Sequence, residues 1–268
     1  MRATTPLPST MREAVGVQFA RAFHAPYEIP IVVAVNGLLM TGAWFLLPNP
    51  NPLFTFHGTL AFAMILAGWM YSDVPATNVL ASDAERSLAA LDDPEALKRL
   101  LYAKNVVLWM LVAPICSVVT IVVGLHEHRV TATIFSLAWI IVVPLGALGI
   151  ASWVGVWWPY HPIPIRDRWE HRTPFRHMIV RWLTLAVLPY GLVPAIVVVI
   201  SLPTALLWYV TSQQQGLTRV PDGSFALGVV VGCAIALFAW VWGHRVALRL
   251  AAKRREALAA YLADPGRG

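Results

Sequence analysis

The sequence predicts an all-α membrane protein with six transmembrane helices, an N-terminal amphipathic helix and a short helical loop between spans 2 and 3. Three observations point there. Of the 268 residues 58% are hydrophobic and only 13% charged, against about 25% charged in a typical soluble domain. Long stretches carry no Asp, Glu, Lys or Arg at all. The basic residues gather between the apolar stretches rather than in a domain of their own.

A helix crossing the hydrocarbon needs about 20 mostly apolar residues. No charged residue occurs between Glu28 and Asp73, and the run Pro48-Asn49-Pro50-Asn51-Pro52 divides that stretch, since proline lacks the donor a helix interior requires. This gives span 1 at 29–47 and span 2 at 53–73. Span 3 covers 105–125 and ends at His126-Glu127-His128-Arg129. Span 4 covers 130–158, which is longer than one crossing needs and implies tilt or protrusion. Pro189, Pro194 and Pro203 interrupt the next charge-free segment, so span 5 is expected at 179–201, with a short separate element at 202–213. Span 6 covers 225–244. Segments apolar on both parities exclude a β-barrel pattern. The expected organisation is an interfacial segment 1–28, a transmembrane domain 29–248 and a basic cytoplasmic tail 249–268.

The Lys and Arg positions set the orientation. With the N-terminus inside, the inner segments hold Arg2, Arg12, Arg21; Arg86, Lys98, Arg99, Lys104; Arg166, Arg168, Arg172, Arg176, Arg181; and six more from Arg245 onward. The outer segments hold only Arg129 and Arg219. This is a positive-inside pattern and places both termini in the cytoplasm, in the cell membrane. Trp and Tyr near the span ends, among them Trp69, Tyr71, Trp157 and Trp158, fit interfacial belts. The net charge of +6 is therefore read as lipid contact, not nucleic-acid binding.

Between Ser9 and Glu28, Ser9 or Thr10 can cap a helix and Glu13 stands at capping-box spacing from Thr10. Val15, Phe19 and Phe23 recur every fourth residue, which suggests an interfacial face. The loop 77–105 reads as a charged two-helix elbow. Ser82 or Asp83 can cap a helix over 83–91, and Asp92-Asp93-Pro94 stops it and starts another. Glu95 precedes Arg99 at i,i+4.

The layout of amphipathic N-terminal helix, six spans and charged helical loop, with Asp83-Ala84-Glu85-Arg86-Ser87-Leu88 and Ala103-Lys104-Asn105 in that loop, resembles the permeases of type-2 ABC exporters. The resemblance implies a transport subunit that is not itself an enzyme. It would move a hydrophobic or lipid-like substrate by means of a separate ABC ATPase subunit, which would carry the ATP and Mg. It implies a homodimer or a pairing with a second permease. Asp83, Glu85, Arg86, Leu88, Asp92 and Asp93 would form the coupling surface for the ATPase, and 202–213 would correspond to outer re-entrant helices. In the second inner loop, Arg166, Arg168 and Arg172 are expected to contact acidic lipid headgroups or the ATPase, or simply to anchor the loop.

The sequence has no GxxxxGK[ST], HExxH or GxSxG, and no CxxC. Cys116 and Cys233 fall inside apolar stretches and read as small buried hydrophobes. The His126-Glu127-His128 turn reads as solvated rather than as a metal site, and Asp73 as a boundary residue. No cofactor or metal is expected on this chain. The alternative is a membrane scaffold or assembly factor that binds a partner through its inner loops. A lipid-modifying enzyme using His57, His161 and His177 is a weaker option, because the topology puts them on different sides.

Overall fold

The computed structural model describes residues 6–24, 27–46, 59–72, 74–126, 128–159, 161, 175–215 and 222–264. Among them, every regular element is helical: α1 (Met11–Ala22), α2 (Glu28–Leu46), α3 (Thr59–Met70), α4 (Val74–Thr77), α5 (Ala84–Ala90), α6 (Pro94–His126), α7 (Val130–Trp157), α8 (Phe175–Gln215), α9 (Asp222–Lys253) and α10 (Arg255–Leu262), with a 3-10 turn at Ala81–Asp83 before α5. Four helices, α6, α7, α8 and α9, are long and apolar enough to cross a membrane. This is the architecture of a multi-pass membrane protein. Helices keep every backbone group paired within one segment, as hydrocarbon demands.

The outside of the bundle carries large apolar side chains. Leu38, Leu125, Val130 and Phe238 are each about two-thirds or more exposed, and Val118, Val122, Val199 and Leu206 continue the apolar surface. A contiguous apolar surface of this kind is stable against lipid and not against water.

Inside, the helices meet through small residues. The faces of α7 and α9 approach so closely that a Cβ on Gly149 would stand 2.5 Å from Trp240 Cα, one on Gly243 2.4 Å from the Gly149 carbonyl carbon, and one on Gly146 2.8 Å from Ala236 Cα. Where lipid removes the hydrophobic drive between helices, such backbone proximity supplies packing energy. One core joins Leu66, Tyr71, Val112, Ile140, Ala147, Val197 and Val229 across the helices. A second lies at the elbow end, where Val79, Leu80, Leu97 and Leu101 meet Val156, Ala247, Leu258 and Leu262.

Four expectations change. First, α6 starts at Pro94 and runs unbroken to His126, so the second elbow helix and span 3 are a single rod. At 1.5 Å per residue it is roughly 50 Å long, against about 30 Å of hydrocarbon. Second, the backbone of α8 stays helical through Pro189, Pro194 and Pro203, and 202–213 is not a separate element. Membrane helices tolerate proline because neighbouring groups re-satisfy the freed carbonyls. Third, the segment expected as a basic tail folds: α9 reaches Lys253, and α10 buries Leu258 and Leu262 against the elbow. Fourth, Tyr71 is fully buried and its hydroxyl donates to the Trp109 carbonyl at 3.5 Å, so it is a core residue and not part of an interfacial belt. The Pro48–Pro52 turn, His57, Asp73, Glu127, Arg166, Arg168, Arg172 and Arg219 lie outside the described residues.

Candidate functional site: the elbow and its clamp

The elbow is built from local sequence signals. Asp93 caps α6, its Oδ1 accepting from Glu95 N at 3.0 Å and Ala96 N at 3.1 Å. Pro94 fills the first helical position, where no amide donor is needed. Ser87 Oγ donates to the Leu80 carbonyl at 2.6 Å and ties α5 to the turn before it. At the N-terminus, Thr10 Oγ1 accepts from Glu13 N at 3.2 Å. The Glu13 carboxylate accepts from Ser9 N at 2.7 Å and Ser9 Oγ at 2.9 Å. The box thus closes on Ser9, one residue earlier than its simplest form. The Ser9 bonds hold the Glu13 carboxyl below its ordinary value.

Asp83 is the centre of the arrangement. The sequence suggested it as a helix cap, but its side chain makes no capping bond to α5. Instead the carboxylate is buried among partners from three elements. Arg21 of α1 ion-pairs with it, Gln18 Nε2 of α1 donates to Oδ2 at 3.2 Å, and Arg86 Nη1 of α5 donates to Oδ2 at 3.0 Å. Lys104 of α6 donates to the Val79 carbonyl and, at 3.0 Å, to Ser82 Oγ. Burial raises the Asp83 carboxyl, but the Lys104 charge and the Arg21 and Arg86 guanidiniums outweigh it. They hold it at about 2, below its ordinary 3.8. A buried carboxylate persists only when charges and donors surround it in this way.

The buried face of α1 is Ala14, Gln18 and Ala22. Phe19 and Phe23 stay exposed, with ring centroids 5.1 Å apart. The small residues therefore dock α1 on the protein, and the aromatic stripe faces outward, one position round the helix from the docked one. Arg99 Nε reaches the Pro8 carbonyl at 3.1 Å and its guanidinium stands 3.8 Å from Asp93. Glu95 consequently pairs with Lys98 at 3.2 Å and not with Arg99.

The C-terminal helix closes the other side. Arg255 ion-pairs with Asp92, and Arg254 donates to the Val156 carbonyl at 3.3 Å. His161 Nε2 donates to the Tyr261 carbonyl at 2.9 Å and its ring stacks on Tyr261. His161 thus acts as a strut between the second loop and α10.

The six residues singled out in the elbow therefore divide. Asp83 and Arg86 belong to the clamp, Leu88 packs against the elbow core, and Asp93 caps α6. Asp92 is exposed and paired to Arg255. Glu85 is exposed, with no hydrogen bond or ion pair to the described residues. With Asp92, Asp93, Pro94, Glu95 and Lys98, it forms the solvated face of the elbow.

Two polar clusters within the bundle had little sequence signal. Asn105 Nδ2 lies 2.8 Å from Ser152 Oγ, 3.2 Å from the Leu148 carbonyl and 3.1 Å from His244 Nε2, joining α6, α7 and α9. His244 Nδ1 donates to the Trp240 carbonyl at 2.8 Å, which leaves Nε2 as the acceptor. The Tyr102 ring stacks on His244 at 3.9 Å. The second cluster joins Asn36, Trp69 and Tyr190. A lone Asn or His in a charge-free run is the one signal that marks such positions. No group of three or more metal-ligating side chains occurs among the described residues. Compared with protein-family models, with curated proteins and with solved structures, the chain gives no match.

Proposed function

We propose that this chain is the membrane-spanning subunit of an ATP-binding-cassette exporter. In this reading six spans cross the cell membrane, with both termini and the elbow on the inner side. α2 and α3 supply the first two crossings and α6 to α9 the other four. The elbow end gathers Arg12, Arg21, Arg86, Lys98, Arg99, Arg245, Arg249, Lys253, Arg254 and Arg255, whereas Arg129 stands at the opposite end. That asymmetry supports an inner elbow.

The observation that carries the reading is the continuity of α6. Its first turns are the elbow and its last turns are a span, with no break from Pro94 to His126. A displacement applied to the elbow by an ATPase would reach the membrane as rigid-body movement, the form that switching transitions take. The clamp from α1, α5 and α10 supports this, because a lever transmits force only where its base does not yield. Two copies, or one copy with a second permease, would line the path about a two-fold axis, and the substrate would be hydrophobic or lipid-like.

The test is purification of tagged full-length chain from its native membrane with identification of co-eluting proteins. A nucleotide-binding subunit co-eluting in stable proportion is expected. Its absence, together with co-elution of some other soluble protein on the elbow, would replace this reading with the membrane scaffold.

A further inference from the structure

Asn36 lies in the middle of α2, in a stretch free of charge from Ile29 to Ser72, and is 1% exposed. Its Oδ1 accepts from the Tyr190 hydroxyl of α8 at 3.1 Å. The Tyr190 ring in turn lies against the Trp69 indole of α3, with centroids 5.4 Å apart and planes inclined at 44°. α2 and α3 touch here, since a Cβ on Gly37 would stand 3.5 Å from Met70 Cε. Three helices thus bring one amide, one phenol and one indole together.

With the amide turned this way, Asn36 Nδ2 is sealed from solvent and donates to no described group; Trp69 Nε1 is in the same condition. A buried donor without an acceptor is destabilising, because it has given up its hydrogen bonds to water and gained none in return. Packing alone gives no reason to keep two at one junction, because Leu and Phe would fill the space without that cost. Trp69 and Tyr190 are only half-buried, so their rings form the outer edge of the junction, with the two sealed N–H groups lying beneath them. Neither the stretch 29–72 nor α8 from Leu188 to Leu207 contains Asp, Glu, Lys or Arg, so a charged ligand would find no counter-charge there.

We propose that Asn36, Trp69 and Tyr190 form a binding site for a neutral, membrane-dissolved molecule carrying hydrogen-bond-accepting oxygens, such as an ester or ketone on an apolar body. The two N–H groups donate to the ligand's oxygen, and the aromatic pair packs its apolar part. As a substrate subsite this rests on the transport reading. As a binding site it is tested on the purified chain alone, so absence of an ATPase would leave the test untouched.

The probe is trioctanoylglycerol, which has ester acceptors and no donor, with hexadecane as the acceptor-free control. Both are titrated into the purified full-length protein in detergent, and the indole N–H resonance of Trp69, identified by its loss in Trp69→Phe, is followed together with the thermal midpoint. Trioctanoylglycerol should shift that resonance saturably and raise the midpoint, while hexadecane does neither. Asn36→Leu should weaken binding by about tenfold. Trp69→Phe, which keeps an aromatic face but removes the N–H with the pyrrole part of the indole, should abolish most of the midpoint rise even if Asn36→Leu does not fold. An equal response to hexadecane, or a Trp69→Phe protein stabilised as strongly as the wild type, would overturn the proposal.

Discussion

The Asp83 carboxylate, buried in the turn that opens the elbow, is ion-paired to Arg21 on the N-terminal helix. Their burial is unequal: the Asp83 side chain is 7% exposed and that of Arg21 42%. Removing a buried partner strands the charges around it, whereas removing an exposed one lets water take its place. Asp83→Ala should therefore cost about 3 kcal/mol, leaving Arg86 and Lys104 without their counter-charge. Arg21→Ala should cost about 1 kcal/mol or less. Thermal unfolding of both variants in one detergent checks the asymmetry, and equal losses would contradict it.

The same carboxylate sets an acid limit. Its folded value of about 2 lies below the ordinary 3.8, so the unfolded chain takes up the proton first as pH falls. The contribution is fully present above 3.8 and disappears as pH drops through 3.8 toward 2. It amounts to roughly 2 kcal/mol. Wild-type stability should fall across that window, while Asp83→Asn should show a weaker dependence there. Unfolding midpoints measured from pH 5 down to about pH 2 make the comparison.

How far the sequence disclosed this arrangement depends on the kind of interaction. Charge-free length located α7 to within a residue, the C-terminal end of α6 and the N-terminal end of α9, because exclusion of charge from hydrocarbon is a property of each segment alone. It missed the charged inner ends, where α6 begins at Pro94 and α9 runs on to Lys253 beyond the apolar stretch. Capping also read locally, as Thr10, Glu13 and Asp93 show. Asp83 reads locally as a cap that it does not make: its real partners, Gln18, Arg21 and Lys104, come from elements that only tertiary packing brings together. The prolines of α8 misled for a related reason. Local chain preference favours a break at Pro189, Pro194 and Pro203, and the packed membrane helix overrides it.

Arg86 holds Asp83, so a variant that changes Glu85 and Arg86 together mixes docking with folding. Glu85 avoids the confusion, being exposed and unpaired among the described residues. Glu85→Lys should leave thermal stability within about 0.5 kcal/mol of wild type and, under the proposed exporter function, weaken retention of an ATPase subunit. Retention equal to wild type would remove Glu85 from the coupling surface.

Glycine substitutions separate close helix approach from ordinary helix preference. A Cβ at Gly149 meets the α9 backbone at 2.5 Å, whereas one at Gly16 of α1 meets nothing within 4 Å. Gly149→Ala should therefore force α7 and α9 apart and cost about 1–3 kcal/mol. Gly16→Ala should stabilise by about 0.5–1 kcal/mol through helix preference alone. Opposite shifts in unfolding midpoint are the expected outcome.

The Asn105–Ser152–His244 cluster tests how much a fully formed polar junction contributes inside the bundle. Asn105 Nδ2 faces three acceptors from α7 and α9, and all three side chains are at most 1% exposed. Hydrogen bonds between membrane helices average about 0.6 kcal/mol, with an upper range near 2, because the unfolded chain in lipid also finds partners. Ser152→Ala removes one acceptor and leaves two, so it should cost about 0.6 kcal/mol. Asn105→Leu takes away the hydrogen bonds that α6 brings to the cluster, keeps only the Tyr102 ring contact and leaves His244 Nε2 facing an apolar side chain, so about 2 kcal/mol is expected. The double variant should cost little more than Asn105→Leu alone, since the Ser152 contact is already gone. A double-mutant cycle of unfolding free energies reads this directly, and full additivity of the two losses would show that Asn105 and Ser152 do not act through each other.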